Sequence, residues 1–378
     1  MAGWTHALSG IRHAATNSLP CQPPHAALTK ETVEVVMAVP ARKFQWDTLT
    51  DEELLDLRLC DLPLRLEGTV LEDRVGRIYD ELERRDLRVR PHVWLGEEWF
   101  CPDGVPGFAV PFYLAHPRLM KLERRQMLEV EGGTERECLR IMRHEAGHAV
   151  SNAFNLHRRK RWRDHFGSFR ERYPQFYKPD PSSRDYVLHL KAWYAQAHPA
   201  EDFAETFAVW LQPGSRWRRR YQDWGALRKL KYVAQLMAEL SGVTPPNRRR
   251  DTVEPLSRLT KTLREHYETK RSRYLFAGTL VYDRDLYRVF FPGKGNEKFP
   301  TAVQFLRSSQ RELSQSVAEV TGVHTYAVDQ VLENFIARCK ELRLRARPPR
   351  EAVKRKALIM LTAQTMKGVY AGYHRIPL

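Results

Sequence analysis

The stretch TERECLRIMRHEAGHAVSNAF, residues 134–154, decides how the rest of the chain is read. Gly132 and Gly133 break whatever precedes it, and Thr134 with Glu137 has the spacing of a capping box, so a helix is predicted to begin near Thr134. Leu139, Met142, Ala146, Ala149 and Ala153 supply a stripe for burial. Inside that helix, His144, Glu145 and His148 spell H-E-x-x-H. Residues four apart share a helical face, so the two imidazoles can reach one tetrahedral zinc ion. The glutamate between them lies beside the metal, where it can take a proton from water. Three fixed positions in five make a short pattern, and a charged helix surface reads the same way by itself.

A third ligand must come from elsewhere. The metzincin extension would place glycine at 151 and histidine at 154, and the chain has Ser151 and Phe154 instead. The stretch HPAEDFAETFA, residues 198–208, offers carboxylates. Pro199 suits a first helical position, and the helix is predicted to run through Phe203, Phe207 and Trp210 and to stop at Pro213 and Gly214. Glu201 and Glu205 fall four apart on one face, where uncompensated like charges repel. The pair makes sense if one carboxylate meets a cation and the other holds a ligand histidine. Spacing alone leaves open which does which, and an ordinary amphipathic helix with acidic residues is the plainer alternative.

The joint pattern, HEAGH followed by ExxAExF, resembles the gluzincins of the anthrax lethal factor type. It is more similar still to a bacterial family of zinc-binding metallopeptidases carrying H-P-x-E-D-x-A-E-T. The resemblance spans roughly residues 55–215. It implies an α+β, zincin-like domain with a small mixed sheet and active-site helices, and amide hydrolysis with Zn2+ as cofactor. Residue by residue it implies that His144, His148 and Glu201 bind the metal and that Glu145 is the general base. Glu205 would support the ligands from the same helix as Glu201. Tyr194, seven residues before Glu201, would stabilise the reacting oxyanion. An exchange of roles between Glu201 and Glu205 stays open.

Working outward, residues 67–85 read as an amphipathic helix with Leu71, Val75, Ile78 and Leu82 on one face. Val89 to Leu95 and Phe108 to Tyr113 read as strands separated by Pro102, Gly104, Pro106 and Gly107. Pro111 marks the second as an edge strand, which either pairs with an extended substrate or is simply structural. Thr244 to Asn247 followed by three arginines looks like a boundary. The expected organisation is a poorly ordered tail over 1–30, a zincin-like metallopeptidase domain over 31–245 and a mainly helical domain over 251–378. The last would hold helices at 256–272, 299–320, 326–345 and 351–371, with a short hairpin from Leu280 to Phe291.

Composition is permissive. Of 378 residues, 42% are hydrophobic and 29% charged, which is ordinary for a globular protein. No apolar run is long enough to span a membrane, and His6, Ser9, Arg12 and His13 interrupt any signal-peptide core. Five cysteines at 21, 60, 101, 138 and 339 show no CxxC spacing, which suits reduced thiols in a cytoplasm and no zinc held by paired cysteines. The net charge of +16 comes with basic clusters at 158–163, 216–220 and 248–250. Such clusters could draw an acidic peptide or protein substrate, or nucleic acid. Solvated helix faces are the plainer reading, because no zinc-finger, RRM or KH signature accompanies them. The expectation is a zinc peptidase acting on peptide or protein. Its rival is a binding protein for nucleic acid or an acidic partner, built on the same scaffold without turnover.

Overall fold

Apolar positions recurring every three or four residues turn most of the described residues into helix. The computed structural model describes residues 45–174, 177–274 and 282–370, so the tail expected over 1–30 lies outside the described residues. Helix α1 (Asp51–Leu55) starts at Thr50, whose side chain and that of Glu53 form a reciprocal capping box. Helix α2 (Val70–Glu83) turns Leu71, Val75, Ile78 and Leu82 inward. Strands β1 (His92–Gly96) and β2 (Gly107–Pro111) then pair in parallel, with Val93 opposite Phe108 and Leu95 opposite Val110. Helices α3 (Pro117–Met127), α4 (Glu135–Phe154), α5 (Lys160–Phe166), α6 (Pro199–Leu211), α7 (Trp217–Arg220), α8 (Ala226–Glu239) and α9 (Leu263–Arg273) follow. The remainder is α10 (Asp283–Val289), β3 (Phe291–Pro292), α11 (Ala302–Thr321), α12 (Thr325–Glu341), β4 (Leu344–Arg345) and α13 (Arg350–Tyr370).

Three expectations are corrected here. The small sheet is not mixed: among the described residues there is one parallel pair, β1 with β2, and a separate antiparallel pair, β3 with β4. The expected hairpin from Leu280 to Phe291 is helix α10 from Asp283 onward, while 280 and 281 lie outside the described residues. Leu286 and Val289 are buried three apart, and Asp283 and Asp285 occupy the first turn, a helical arrangement rather than alternation. The second strand ends at Pro111, and Phe112–Ala115 is a 3-10 turn. Strand β2 is buried along its whole length, and the Ala109 N–H already donates to the Phe100 carbonyl at 2.8 Å. Both features suit a structural strand.

Two hydrophobic cores organise the described chain. The first runs from Trp46 to Tyr267 and takes in α2, α4, α6 and α8, together with Leu263 and Tyr267 of α9. The second runs from Tyr282 to Leu361 and is built by α10 to α13. Partly buried Tyr274 packs against both. Helix α4 is pinned in the first core by polar ties as well as by area. Arg143 makes a buried two-pronged ion pair with Glu81 of α2, both bonds at 2.7 Å. At its far end Asn152 donates to the carbonyls of Pro102 and Val105, fastening the link between the strands. Beyond α8, Asn247 donates to the carbonyls of Gly104 and Asn152 and so ties the Pro-Pro-Asn stretch to the same place.

Candidate metal centre

Helices α4 and α6 cross at a point where neither carries bulk. A Cβ placed on Gly147 would lie 2.9 Å from the Cα of Ala204 and 3.2 Å from its carbonyl oxygen. Glycine inside HEAGH therefore permits the two backbones to touch, at the usual cost of glycine in a helix interior. Thr134 caps α4 by accepting the Glu137 N–H at 3.2 Å. His198 caps α6, its Nδ1 accepting the Ala200 N–H and its Nε2 donating to the Glu171 carbonyl.

The close crossing brings His144, His148 and Glu201 together. The Glu201 Oε2 lies 2.9 Å from His144 Nε2 and 3.2 Å from His148 Nε2, and the two nitrogens are 3.1 Å apart. A tetrahedral ion with ligands at about 2.0–2.1 Å separates its donor atoms by about 3.3 Å, so this triangle has the dimensions of three corners of a zinc site. Among the described residues it is the one group of three histidine, cysteine or carboxylate side chains able to share an ion.

The chemistry of the donors points the same way. Glu205 Oε1 sits 2.9 Å from His144 Nδ1, and its Oε2 accepts the Leu190 N–H at 2.8 Å. Burial would raise the Glu205 pKa, but these donors outweigh it and hold the carboxyl below its ordinary range. An ionised Glu205 can only accept, so His144 Nδ1 carries the proton and Nε2 is directed at Glu201. Burial opposes ionisation of Glu201 too, yet the two histidines bring its pKa well below the usual value. Glu201 Oε1 is satisfied by the Tyr173 hydroxyl at 2.9 Å, which leaves Oε2 for the triangle. Burial disfavours a charged His144, and the bonds to Glu201 and Glu205 reverse that preference and raise its pKa well above normal. The arrangement thus calls for a positive charge between Nε2 and Oε2, supplied by a proton or by a metal ion.

Glu145 and Tyr194 line a cleft of about 320 Å³ together with His144. Burial raises the Glu145 carboxyl above its ordinary pKa, which suits a group that must accept a proton. Burial and the nearby carboxylates of Glu201 and Glu145 keep the Tyr194 phenol protonated far above neutrality, so it can donate. Its ring lies 5.5 Å from that of His144. Tyr194 stands on a short turn, Lys191–Gln196, in which Ala192 and Trp193 both adopt left-handed backbone, with φ of 58° and 54°. For residues with a Cβ this is strained, and such strain persists only where neighbours impose it. One neighbour is Tyr177, whose hydroxyl donates to the Ala192 carbonyl at 2.7 Å.

Several participants escaped sequence reasoning. Tyr173 holds Glu201 from an irregular loop 28 residues upstream, with no motif to mark it. The Leu190 N–H that fixes Glu205 is a backbone group and carries no side-chain signal. Asp202, buried on α6 between the two glutamates, is met by Lys229 of α8 at 2.5 Å. The basic cluster at 158–163 is partly engaged: Arg159 and Arg161 face Glu239, and Lys160 faces Asp164. No helix among the described residues is long and apolar enough to cross a membrane.

No curated protein and no solved structure matches this chain. Residues 118–214, from the start of α3 to just beyond α6, match the profile of a family described as "Putative zinc-binding metallo-peptidase", and that segment contains every residue of the triangle.

Proposed function

We propose that the protein is a zinc-dependent peptidase of the gluzincin type, with His144, His148 and Glu201 holding the metal. The observation that carries this reading is the triangle of acceptor atoms, two imidazole nitrogens and one carboxylate oxygen, set at zinc-site spacing with a buried glutamate beside it. When bound there, zinc supplies a Lewis acid that polarises a carbonyl and acidifies water. The remaining roles fall to the chain. Glu145 takes the proton of the attacking water on a carboxylate oxygen and passes it to the departing amine nitrogen. Tyr194 donates its phenolic hydrogen to the carbonyl oxygen as negative charge builds there. Glu205 fixes the tautomer of His144, and Tyr173 leaves Glu201 a single oxygen to offer the ion.

The test rests on Glu145, the HExxH carboxylate that is not itself in the triangle. Glu145→Gln keeps its shape and removes its basicity. Zinc content and melting temperature should match the parent. Turnover of a peptide identified by mass spectrometry from a diverse library should fall by at least ~100-fold, the low end for losing a general base. Equal turnover in the variant would reject the mechanism. Zinc binding with no cleavage of any library member by the parent would favour a binding protein on this scaffold.

A further inference from the structure

The cleft beside His144 and Glu145 is walled partly by the second core. The turn Thr321–His324 between α11 and α12 lines it, as do Met366 and Val369 of α13. A side chain 196 residues earlier in the sequence bonds to the end of that turn. Glu129 lies in the loop between α3 and α4, and its Oε2 accepts the Thr325 N–H at 3.0 Å and the Thr325 hydroxyl at 2.6 Å. Its Oε1 lies 3.4 Å from His324 Nε2. The first N–H groups of a helix have no partner within the helix, and a carboxylate complements the positive end of its dipole. His324 already caps the Tyr326 N–H, so Glu129 serves the donor that remains at Thr325.

The same carboxylate reaches the strained turn that carries Tyr194. Glu129 Oε1 lies 4.0 Å from Nζ of Lys191, the first residue of that turn. Gly322, itself left-handed at φ 73°, is a neighbour of that turn: a Cβ placed on it would stand 3.5 Å from the Ala192 nitrogen, ordinary van der Waals distance. Ala192 and Trp193 need an outside constraint to stay left-handed. Tyr177 supplies one from earlier in the sequence, and the α11–α12 turn lies beside the same residues.

We propose that Glu129 is a positioning residue: by capping α12 it clamps the Thr321–His324 turn onto the Ala192–Trp193 pair and so holds Tyr194 beside His144. The effect on turnover rests on the peptidase reading, whereas the clamp stands on contacts alone. Hydrogen exchange on the full-length, zinc-loaded chain tests the clamp without any substrate. In Glu129→Ala, exchange over residues 191–196 should speed up roughly fivefold or more, the scale of one lost helix cap, with zinc content unchanged. Thr325→Val, which removes one of the two donors, should give a smaller change in the same segment, and it decides the matter if Glu129→Ala does not fold. Faster exchange at the start of α12 with 191–196 unaffected would overturn the proposal, since Glu129 would then only cap a helix. Where a cleaved peptide is in hand, Tyr194→Phe should lower kcat much less in the Glu129→Ala background than in the parent. Full additivity of the two changes would overturn it as well. A parent that cleaves nothing sinks the peptidase reading and leaves the exchange result to decide the clamp.

Discussion

Helix α6 buries twelve of its thirteen residues, whereas α11 buries eight of its twenty. The buried set of α11 is a stripe of Phe305, Leu306, Leu313, Val317 and smaller neighbours, as expected for a helix lying on a core. That of α6 includes Glu201, Asp202, Glu205 and Thr206. Taking carboxylates out of water is costly unless each meets a partner. Here the partners come from four other segments: Tyr173, Leu190, His144 on α4 and Lys229 on α8. One helix is held by apolar area and tolerates change on its open face. The other adds to its apolar area a polar network in which each of the three carboxylates depends on a group from another segment.

The largest effect should follow from removing a corner of the triangle. His148→Ala and Glu201→Ala are each expected to take zinc content from about one per chain to near zero in metal analysis. Glu205→Ala should keep the metal with affinity weakened by about 10–100-fold, the range for a residue that orients a ligand. Loss of metal in Glu205→Ala with retention in Glu201→Ala would exchange the two roles and redraw the network.

A polar tie outside the site sharpens the contrast through pH. Glu97, in the link between β1 and β2, accepts from Lys261 Nζ at 2.6 and 2.7 Å and meets His266 Nδ1 at 2.8 Å, which fastens α9 to the first core. Burial would raise its pKa, but these partners bring it down from 4.5 to about 2. A depressed folded pKa gives stability that is complete above pH 4.5 and is lost as pH falls toward 2. The shift corresponds to about 3 kcal/mol. Glu97→Gln should therefore be less stable at neutral pH and show a flatter acid limb in denaturant titrations. An unchanged acid limb would mean that other carboxylates carry it.

The smallest effects separate the two helical surfaces directly. Gly147→Ala adds one methyl group against the Ala204 backbone, so melting stability should drop by about 1–3 kcal/mol despite the better helix propensity of alanine. Val320 on α11 is 82% exposed, and Val320→Ser should stay within about 0.5 kcal/mol of the parent. A neutral Gly147→Ala would show that α4 and α6 can separate without loss, contrary to the tight crossing.

Much of α4 and α6 could be read from the sequence, because their signals are local. Thr134 caps one helix and His198 the other, each accepting a backbone N–H within three residues, and Pro199 suits the first helical position. The helical spacing of His144 with His148, and of Glu201 with Glu205, puts each pair on one face. Helix α10 is hard to read from sequence because seven residues with only Leu286, Tyr287 and Val289 apolar do not by themselves distinguish a period of two from 3.6. Tyr173, Lys229 and Glu129 were missed for a different reason: each acts on a group far along the chain, and nothing in its own neighbourhood records that partner.

The sequence by itself determined the chemistry available, two imidazoles and two carboxylates on two helical faces, since a rise of 1.5 Å and 3.6 residues per turn fix what shares a face. It did not determine which carboxylate lies at which ring nitrogen. Glu201 and Glu205 occupy the same stripe of α6, and His144 presents Nε2 to one side and Nδ1 to the other. That choice was made by the crossing of α4 and α6, where Gly147 meets Ala204, and by the Leu190 N–H and Tyr173 hydroxyl that hold the two carboxylates in place. Tertiary contact decided it because only there do the helix faces acquire a fixed depth and angle against each other.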